Sequence, residues 1–291
     1  MRNAETPRSW TRFLVRRFAL LLFVLWASAT LVFFFIHLVP GDPVSLMLGE
    51  MARAVDQEAL RAKLGLDQPL LAQYFRFLRG LLHQDLGESF FYRRSVFELI
   101  AERIPATYGL ALAALAVATG IALPLGIISA LRERTWVDAG ARFFALLGIS
   151  MPSFWLGPLL ILLLAIELNW LPVSGSSGIA NWLLPSLTLG LALAALLSRM
   201  TRAAFLEVIR EEYISTARAK GLPERKIVLV HAMKNALIPI ITILGLQLGA
   251  VLSGAIIIEK IFSWPGIGSL LVAAIEARDY PLVQGCVLAI A

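Results

Sequence analysis

Residues 236–258 read ALIPIITILGLQLGAVLSGAIII and contain no charged side chain. A helix that rises 1.5 Å per residue needs roughly 20 residues to cross about 30 Å of hydrocarbon, so this stretch is long enough to span a bilayer. The whole chain agrees, because 58% of its 291 residues are hydrophobic and only 16% are charged. Its mean hydropathy of +0.77 is too high for an ordinary soluble domain. The sequence therefore predicts an all-α membrane protein.

Further uncharged apolar runs lie on the N-terminal side of this stretch, at residues 18–39, 107–131, 143–166 and 182–198. A last run, LVQGCVLAIA after Pro281, would rise only about 15 Å as a helix, which is half a bilayer. We expect a polytopic helical bundle with five full transmembrane helices and an incomplete sixth. These helices form a single transmembrane domain, residues 18–291, that follows an N-terminal segment of residues 1–17.

The positions of Lys and Arg predict how the helices are oriented. Five arginines precede the first apolar run, eight cations lie within residues 199–234, and residues 167–181 contain none. Short cytoplasmic loops are enriched in Lys and Arg. We therefore expect the N-terminus and residues 199–234 of this multi-pass membrane protein to be cytoplasmic and residues 40–104 to be outside.

The long outer segment contains an amphipathic stretch between Pro69 and Gly87. Helical spacing predicts that five leucines and a tyrosine share one face and that three polar side chains lie elsewhere on the helix. The first group consists of Leu70, Leu71, Leu78, Leu81, Leu82 and Tyr74. This pattern is typical of a helix that lies on the membrane or on neighbouring spans, and a partner-docking surface is the alternative. The polar side chains elsewhere on the helix are Arg76, Arg79 and Gln84.

Residues 213–239, YISTARAKGLPERKIVLVHAMKNALIP, place many cations between two of the most apolar runs. Gly221 can adopt a positive φ, and Pro223 suits the first position of a new helix, so we predict a helix, a tight turn and a second helix. Two interpretations remain open on the residues alone. The segment is either a solvated loop that follows the charge rule or a surface for a partner. On the first helix, one side carries Ile209, Tyr213, Thr216, Ala217 and Lys220.

Catalytic functions find no support in the sequence. No Gly-Lys pair occurs, so a phosphate-binding loop of the G-x-x-x-x-G-K-[ST] type is absent. His37, His83 and His231 fall in three separate segments, and Cys286 is the only cysteine. We expect no enzyme activity, no metal site and no cofactor. A stand-alone secondary transporter or channel is an alternative, but the apolar runs lack the charged residues that coupling-ion sites use.

The fifth apolar run and the residues after it carry the clearest internal features. Gly245, Gly249 and Ser253 recur at four-residue spacing, which permits close packing of helices in a bilayer. Gln247 is the only amide in the middle of this run, so it either faces a translocation path or forms a hydrogen bond between helices. IFSWPGIG, residues 261–268, reads as an interfacial tryptophan followed by a Pro-Gly turn.

The order of motifs resembles the ABC-importer permeases of the dipeptide, oligopeptide and nickel family. TARAKGL, followed by His231 and KNALIP, resembles the cytoplasmic EAA loop of that family. The resemblance extends along nearly the whole chain. The motifs that carry it are LVPGDP at 38–43, LGLDQPL at 64–70, DLGESF at 85–90, SMPSFW at 150–155, LPVSG at 171–175, IFSWPGIG at 261–268 and RDYPLVQG at 278–285.

The resemblance implies partners and roles for particular residues. The partners are a second related permease, two cytoplasmic ATPases and an extracytoplasmic solute-binding protein, and ATP hydrolysis belongs to the ATPases. Gln247 and Ser253 are candidates for the translocation path, and Trp264, Pro265 and Gly266 for an outer gate region. The candidate ATPase-coupling residues are Glu212, Tyr213, Thr216, Ala217, Arg218, Ala219, Lys220, Gly221, Leu222, His231 and Asn235.

Two departures from the family pattern are visible. Counting back from Gly221, the Glu-Ala-Ala signature falls on Ser215, Thr216 and Ala217, so only the last alanine matches, as in the peptide-permease variant of the loop. Family members also complete a sixth span. We expect the solute to be a short peptide rather than nickel, because the loop looks like that of the peptide branch and metal ligands are few. Nickel stays open as the alternative.

The charge distribution predicts the result of a labelling experiment. A cysteine at Ser176 should react with an impermeant maleimide added to intact spheroplasts, and a cysteine at Ser215 should react only after lysis. The unmodified chain, which contains only Cys286, serves as the background control. The reverse labelling pattern would contradict the predicted orientation.

Overall fold

The computed structural model describes residues 7–38, 41–48, 54–83, 85–175 and 178–291. Ser176 and Gln84, both used in the sequence arguments, lie outside these ranges. Over the described ranges the structure is helical, and its only β pairing is an isolated bridge between Glu88 and Ser95. Four of its helices are long and apolar enough to cross a membrane, or five if a bent pair counts as one span. The all-α membrane class is confirmed.

Fourteen α-helices and two π-helical segments make up the described chain. In chain order these are α1 Pro7–Leu38, α2 Pro43–Leu48, α3 Ala54–Leu64, α4 Leu70–Leu82, α5 Val96–Leu131, α6 Trp136–Ser150, α7 Ser153–Leu160, the π segment Ile161–Glu167, α8 Ile179–Ile209, α9 Glu212–Ala219, α10 Glu224–Lys226, the π segment Ile227–Ala232, α11 Met233–Gly254, α12 Ile256–Ile261, α13 Ile267–Glu276 and α14 Tyr280–Ile290. The chain forms two compact units, one of residues 1–103 with 270–291 and the other of residues 104–269.

In the first unit, α4 packs on α1 through aromatic side chains. The ring of Phe77 stacks on Phe33 with centroids 5.7 Å apart, and Tyr74 lies 5.3 Å from the same ring. The predicted amphipathic helix is therefore present. Tyr74 of its predicted apolar face packs on α1, and Leu70, Leu71 and Leu82 of the same face are exposed. Phe77, which was not assigned to that face, shares the contact with α1.

Three motifs that are distant in sequence meet in this first unit. The buried carboxylate of Asp279 caps α14 by accepting from the Leu282 N–H, and it also accepts from the Ser89 hydroxyl and from the Phe91 N–H at 3.1 Å. The guanidinium of Arg278 lies directly over Gly41, where a side chain would overlap it. Gly41, Ser89 and residues 278–279, each from a different motif, thus lie in one cluster.

In the second unit, α8 is the central helix, with α5, α6 and α11 packed against it. Gly126 on α5 faces Thr201 and the Ser198 carbonyl of α8, and a Cβ there would lie 2.7 Å from that oxygen. On the other side of the contact, Gly190 of α8 fits against Val117. Small residues of this kind let helix backbones approach closely where no hydrophobic drive brings helices together.

The third apolar run is not one straight span, contrary to the sequence-based expectation. α6 ends at Ser150 and α7 begins at Ser153, with a bend of 104° between the two helical pieces. Pro152 lacks an N–H and disfavours the helical conformation of the residue before it. Met151 accordingly has φ −89° and ψ 118°. The SMPSFW motif is therefore a break between two helices.

The fourth run forms a helix much longer than its apolar part, since α8 extends to Ile209. A buried ion pair fixes this extension. The Asp138 carboxylate, 1% exposed, accepts from Arg202 Nε at 2.7 Å and Nη2 at 2.9 Å, and from the Ser129 hydroxyl at 2.6 Å. A bidentate pair with an additional donor offsets the desolvation of both charges. Residues 210–222 therefore follow a helix end that is held in place.

Candidate functional site

The segment after α8 is anchored to the second unit by two side chains. Arg210 ends α8, and α9 starts two residues later. Ile214 and Ala217 on α9 are buried in a core cluster that includes Phe205 and Ile227. Because these two side chains lie three positions apart, one face of α9 packs on the unit and the opposite face is left exposed.

The exposed face of α9 carries many of the predicted coupling residues. Tyr213, Thr216 and Lys220 are exposed, and the Tyr213 hydroxyl accepts from Asn235 Nδ2 at 2.7 Å. This bond links α9 to the first turns of α11. Of the predicted set, the exposed members are Glu212, Tyr213, Thr216, Arg218, Ala219, Lys220, Gly221 and Asn235, while Leu222 and His231 are partly buried and Ala217 is buried.

The turn after α9 is a Schellman motif. Gly221 has φ +75°, which confirms the predicted left-handed turn. The N–H of Gly221 donates to the Arg218 carbonyl at 2.9 Å, and the N–H of Leu222 donates to the Ala217 carbonyl at 3.4 Å. These are the two bonds that close a helix end on a glycine, and the apolar residue after the glycine normally packs back on the helix. Leu222 does so against the same core cluster.

An ion pair and a proline continue the chain past this turn. Arg218 Nε lies 2.7 Å from Glu224 Oε1, so the end of α9 is tied to the start of α10. Pro223 is the N-cap of α10, one residue before the predicted N1 position. The predicted helix, turn and helix are therefore confirmed, with the second helix made of a short α turn and the π segment Ile227–Ala232.

An open groove of about 680 Å³ runs beside the segment. Its wall includes Arg132, from the turn between α5 and α6, together with Arg218 and Arg225. The sequence alone did not connect Arg132 with this site. The remaining lining residues are Ala130, Leu131, Ile209, Glu224, Val228 and Leu229.

His231 lies in the π segment that leads from the groove into α11. It is partly buried, and the structure gives its buried Nε2 no hydrogen-bond partner among the described residues. π segments inside helices occur often at functional sites. The predicted coupling residues on both sides of Gly221 therefore belong to one continuous structure.

The two candidate path residues point in different directions from α11. Gln247 is buried, and its Nε2 donates to the Leu193 carbonyl of α8 at 3.2 Å, which supports the hydrogen bond between helices. Ser253 is exposed, and its hydroxyl bonds only to carbonyls of its own helix among the described contacts. Gly245 and Gly249 share the open side with Ser253, since a Cβ at either glycine would meet no neighbour within 4 Å.

The candidate gate residues form a packed turn. Trp264 is 1% exposed, its Nε1 donates to the Ala106 carbonyl at 2.9 Å, and its ring meets the edge of Trp182 with centroids 4.6 Å apart. Pro265 is partly buried and Gly266 is buried. The tryptophan is therefore held inside the second unit and does not lie exposed as a simple interfacial anchor.

Sequence reasoning missed three buried carboxylates: Asp138, Asp279 and Glu259. Each is a single acidic residue close to an apolar run, and an acidic residue in that setting must find donors or a counter-charge. That pattern is the signal that could have identified them. Across the described ranges no group of three or more His, Cys, Asp and Glu side chains could hold a metal ion.

These features define a class: a multi-pass membrane subunit that presents a structured polar segment at one end of its helices. Comparison with known families identifies the class more closely. A family model described as "Binding-protein-dependent transport system inner membrane component" matches residues 122–291, and the N-terminal model of the same system matches residues 10–111. The chain belongs to this family, the inner-membrane permeases of ABC importers of the dipeptide and oligopeptide type.

Similar proteins include two permeases from enterobacteria. The chain is 44% identical over 276 residues to the glutathione transport system permease protein GsiC of Pectobacterium atrosepticum, and 43% identical over 276 residues to GsiC of Escherichia coli K12. Both alignments cover 95% of this chain and 90% of the relative. The family and these relatives are transport permease subunits and not enzymes, as the sequence predicted.

The Schellman turn generates a prediction about Gly221. Gly221→Val should weaken ATPase co-purification and solute-stimulated ATP hydrolysis strongly, because a β-branched residue at positive φ costs at least about 1–2 kcal/mol. No atom lies within 4 Å of a Cβ at this position, so the cost comes from the backbone and not from a clash.

Two variants control for this effect. Gly221→Asn should retain most of the coupling, because asparagine tolerates the left-handed conformation. Lys226→Gln should be mild, because an exposed charge contributes about 0–1 kcal/mol. Wild-type ATPase binding and stimulation by Gly221→Val would show that the turn is not needed for coupling.

Proposed function

We propose that this chain is the permease subunit of an importer of short peptides, and that residues 212–222 couple it to a cytoplasmic ATPase. The proposal rests on the exposed face of α9. The opposite face of α9 is fixed by Ile214 and Ala217. A displacement of α9 would therefore be transmitted to the core of the second unit and not taken up by a flexible loop. A solvated loop would need no such anchor.

The polar geometry fits a partner surface. Arg132, Arg218 and Arg225 line the groove beside α9 together with Glu224, which pairs with Arg218, so the lining carries a net positive charge. Lys220 and Tyr213 add a cation and a hydroxyl on the exposed face. A partner with acidic side chains around a cleft matches this pattern, because charge complementarity fixes the register of two surfaces.

The path for the solute is proposed on the open side of α11. Gly245, Gly249 and Ser253 leave this side uncovered, so a second, related permease would pack here and share the pathway in a heterodimer. Gln247 would then position α11 against α8 through its bond to Leu193. The five arginines before residue 18 favour a cytoplasmic N-terminus, and residues 212–222 would then lie on the ATPase side.

In the proposed cycle the ATPases do the chemical work. ATP binding brings the two ATPases together, their movement displaces α9, and α8 and α11 transmit the displacement to the outer end of the pathway. The buried pair of Asp138 and Arg202 keeps α8 rigid near its junction with this segment, so that displacement of α9 is not lost in local bending. An extracytoplasmic binding protein would select and deliver the solute.

The solute class is proposed from the relatives. The names of the two similar permeases described above specify glutathione, a tripeptide, and each alignment covers 95% of this chain. A peptide-like solute is therefore favoured, with glutathione as the first compound to test.

Uptake by the reconstituted importer tests this proposal. Proteoliposomes are prepared with the permease, its partner permease, both ATPases and the binding protein. These vesicles should take up radiolabelled glutathione or a di- or tripeptide in an ATP-dependent manner. The same vesicles should not accumulate nickel ions. ATP-dependent nickel uptake without peptide uptake would overturn the assignment of the solute.

A further inference from the structure

The outer end of the second unit contains a buried carboxylate that the transport cycle above does not use. Glu259 lies on α12 with 0% of its surface exposed. Its Oε1 accepts from the Thr107 hydroxyl at 2.8 Å, and its Oε2 accepts from the Ser269 N–H at 2.9 Å. Burial of a carboxylate is costly unless donors replace its water, and these two groups do so from separate parts of the chain.

The same residue organises the turn after α12 through a second set of bonds. The backbone carbonyl of Glu259 accepts from the Trp264 N–H at 2.7 Å. Thr107 donates to the carboxylate and also accepts from the Ile267 N–H at 2.8 Å. The turn of residues 264–269 is therefore connected to Glu259 at its beginning, its middle and its end.

The carboxylate also explains two glycines in IFSWPGIG. A Cβ on Gly266 would overlap the carboxylate of Glu259, and a Cβ on Gly268 would lie 2.9 Å from Glu259 Oε2. At Gly268 the Cβ would in addition lie 2.7 Å from the Cα of Ile256. Position 266 is thus restricted by the glutamate side chain, whereas position 268 is also restricted by backbone.

We propose that Glu259 is the positioning residue of the outer gate region. Its carboxylate holds residues 264–269 in the packed conformation in which Trp264 bonds to Ala106 and meets Trp182. Both carboxylate oxygens act as acceptors, so the role requires a side chain that forms hydrogen bonds with Thr107 and Ser269 and not only one of this size. The link to gating rests on the proposed function of the Trp264 turn, whereas the positioning of that turn can be measured without transport.

The first test uses Glu259→Leu in the assembled complex in nanodiscs. Leucine is similar in size but accepts no hydrogen bond, so the side-chain bonds to Thr107 and to Ser269 are both lost. In a Cys286→Ala background, a cysteine at the buried Ile267 should then react with a maleimide about tenfold faster or more. A cysteine at Ser263, which is exposed and directly precedes the same turn, should react at the same rate with and without the Glu259→Leu substitution. Equal protection of position 267 in both backgrounds would overturn the proposal.

The second test compares two glycine substitutions and keeps the proposal testable if one variant folds poorly. Gly266→Ala should lower the melting temperature of the complex in the wild type but cause little further loss in the Glu259→Ala background, because the overlapping group is then gone. Gly268→Ala should lower the melting temperature in both backgrounds, because its Cβ would still lie too close to the Cα of Ile256. Additive losses for Gly266→Ala and Glu259→Ala would contradict the proposal.

Uptake by the same variants separates positioning from gating. Glu259→Leu should reduce peptide uptake along with the protection of position 267. If protection is lost and wild-type uptake persists, the gating role is overturned. If the wild-type importer takes up no peptide, only the solute assignment fails, and the labelling result still decides whether Glu259 positions the turn.

Discussion

Hydrocarbon offers no hydrogen bonds, and this constraint explains most of the structure. Backbone polar groups in lipid must bond within their own segment, so the apolar runs become long helices. Charged side chains near those helices must meet donors or counter-charges. Asp138 is paired with Arg202, Asp279 caps α14, and Glu259 accepts from Thr107 and Ser269. Each buried carboxylate fixes a junction where the chain leaves or enters a helix.

These junctions connect the packing of the helices with the proposed cycle. At one end of the second unit, the pair of Asp138 and Arg202 fixes α8 just before residues 210–222. At the other end, Glu259 holds the turn that contains Trp264. α8 and α11 lie between the two ends and are joined by the bond from Gln247 to Leu193. In the proposed cycle, a displacement of α9 would pass through these fixed junctions.

The sequence predicted the features that depend on local chemistry. Apolar length predicted the spanning helices, and glycine chemistry predicted the left-handed turn at Gly221, because both depend on residues that are adjacent in the chain. The break at Pro152 also depends on local residues, but the apolar residues on both sides of the proline were interpreted as one continuous span. The motif order of a permease was sufficient to identify the family that the comparisons show.

Contacts between distant residues were beyond sequence reasoning. Nothing in the spacing of Asp138 and Arg202, or of Glu259 and Thr107, indicates that they meet, since each pair is brought together only by helix packing. The contact between Phe77 on α4 and Phe33 on α1 was missed for the same reason. The hydrogen-bond partner of Gln247 could not be predicted either, because it depends on the position of α8.

The central claim is that the exposed face of α9 contacts the ATPase. A photoreactive benzophenone maleimide attached to a cysteine at Thr216, in a Cys286→Ala background of the assembled importer, tests it most directly. Thr216 is exposed, and the adjacent anchor Ile214 and the exposed Phe75 on α4 provide matched controls. The account predicts adducts with the ATPase subunit from position 216 and none from positions 214 or 75. Absence of ATPase adducts from position 216, or equal adducts from all three positions, would contradict it.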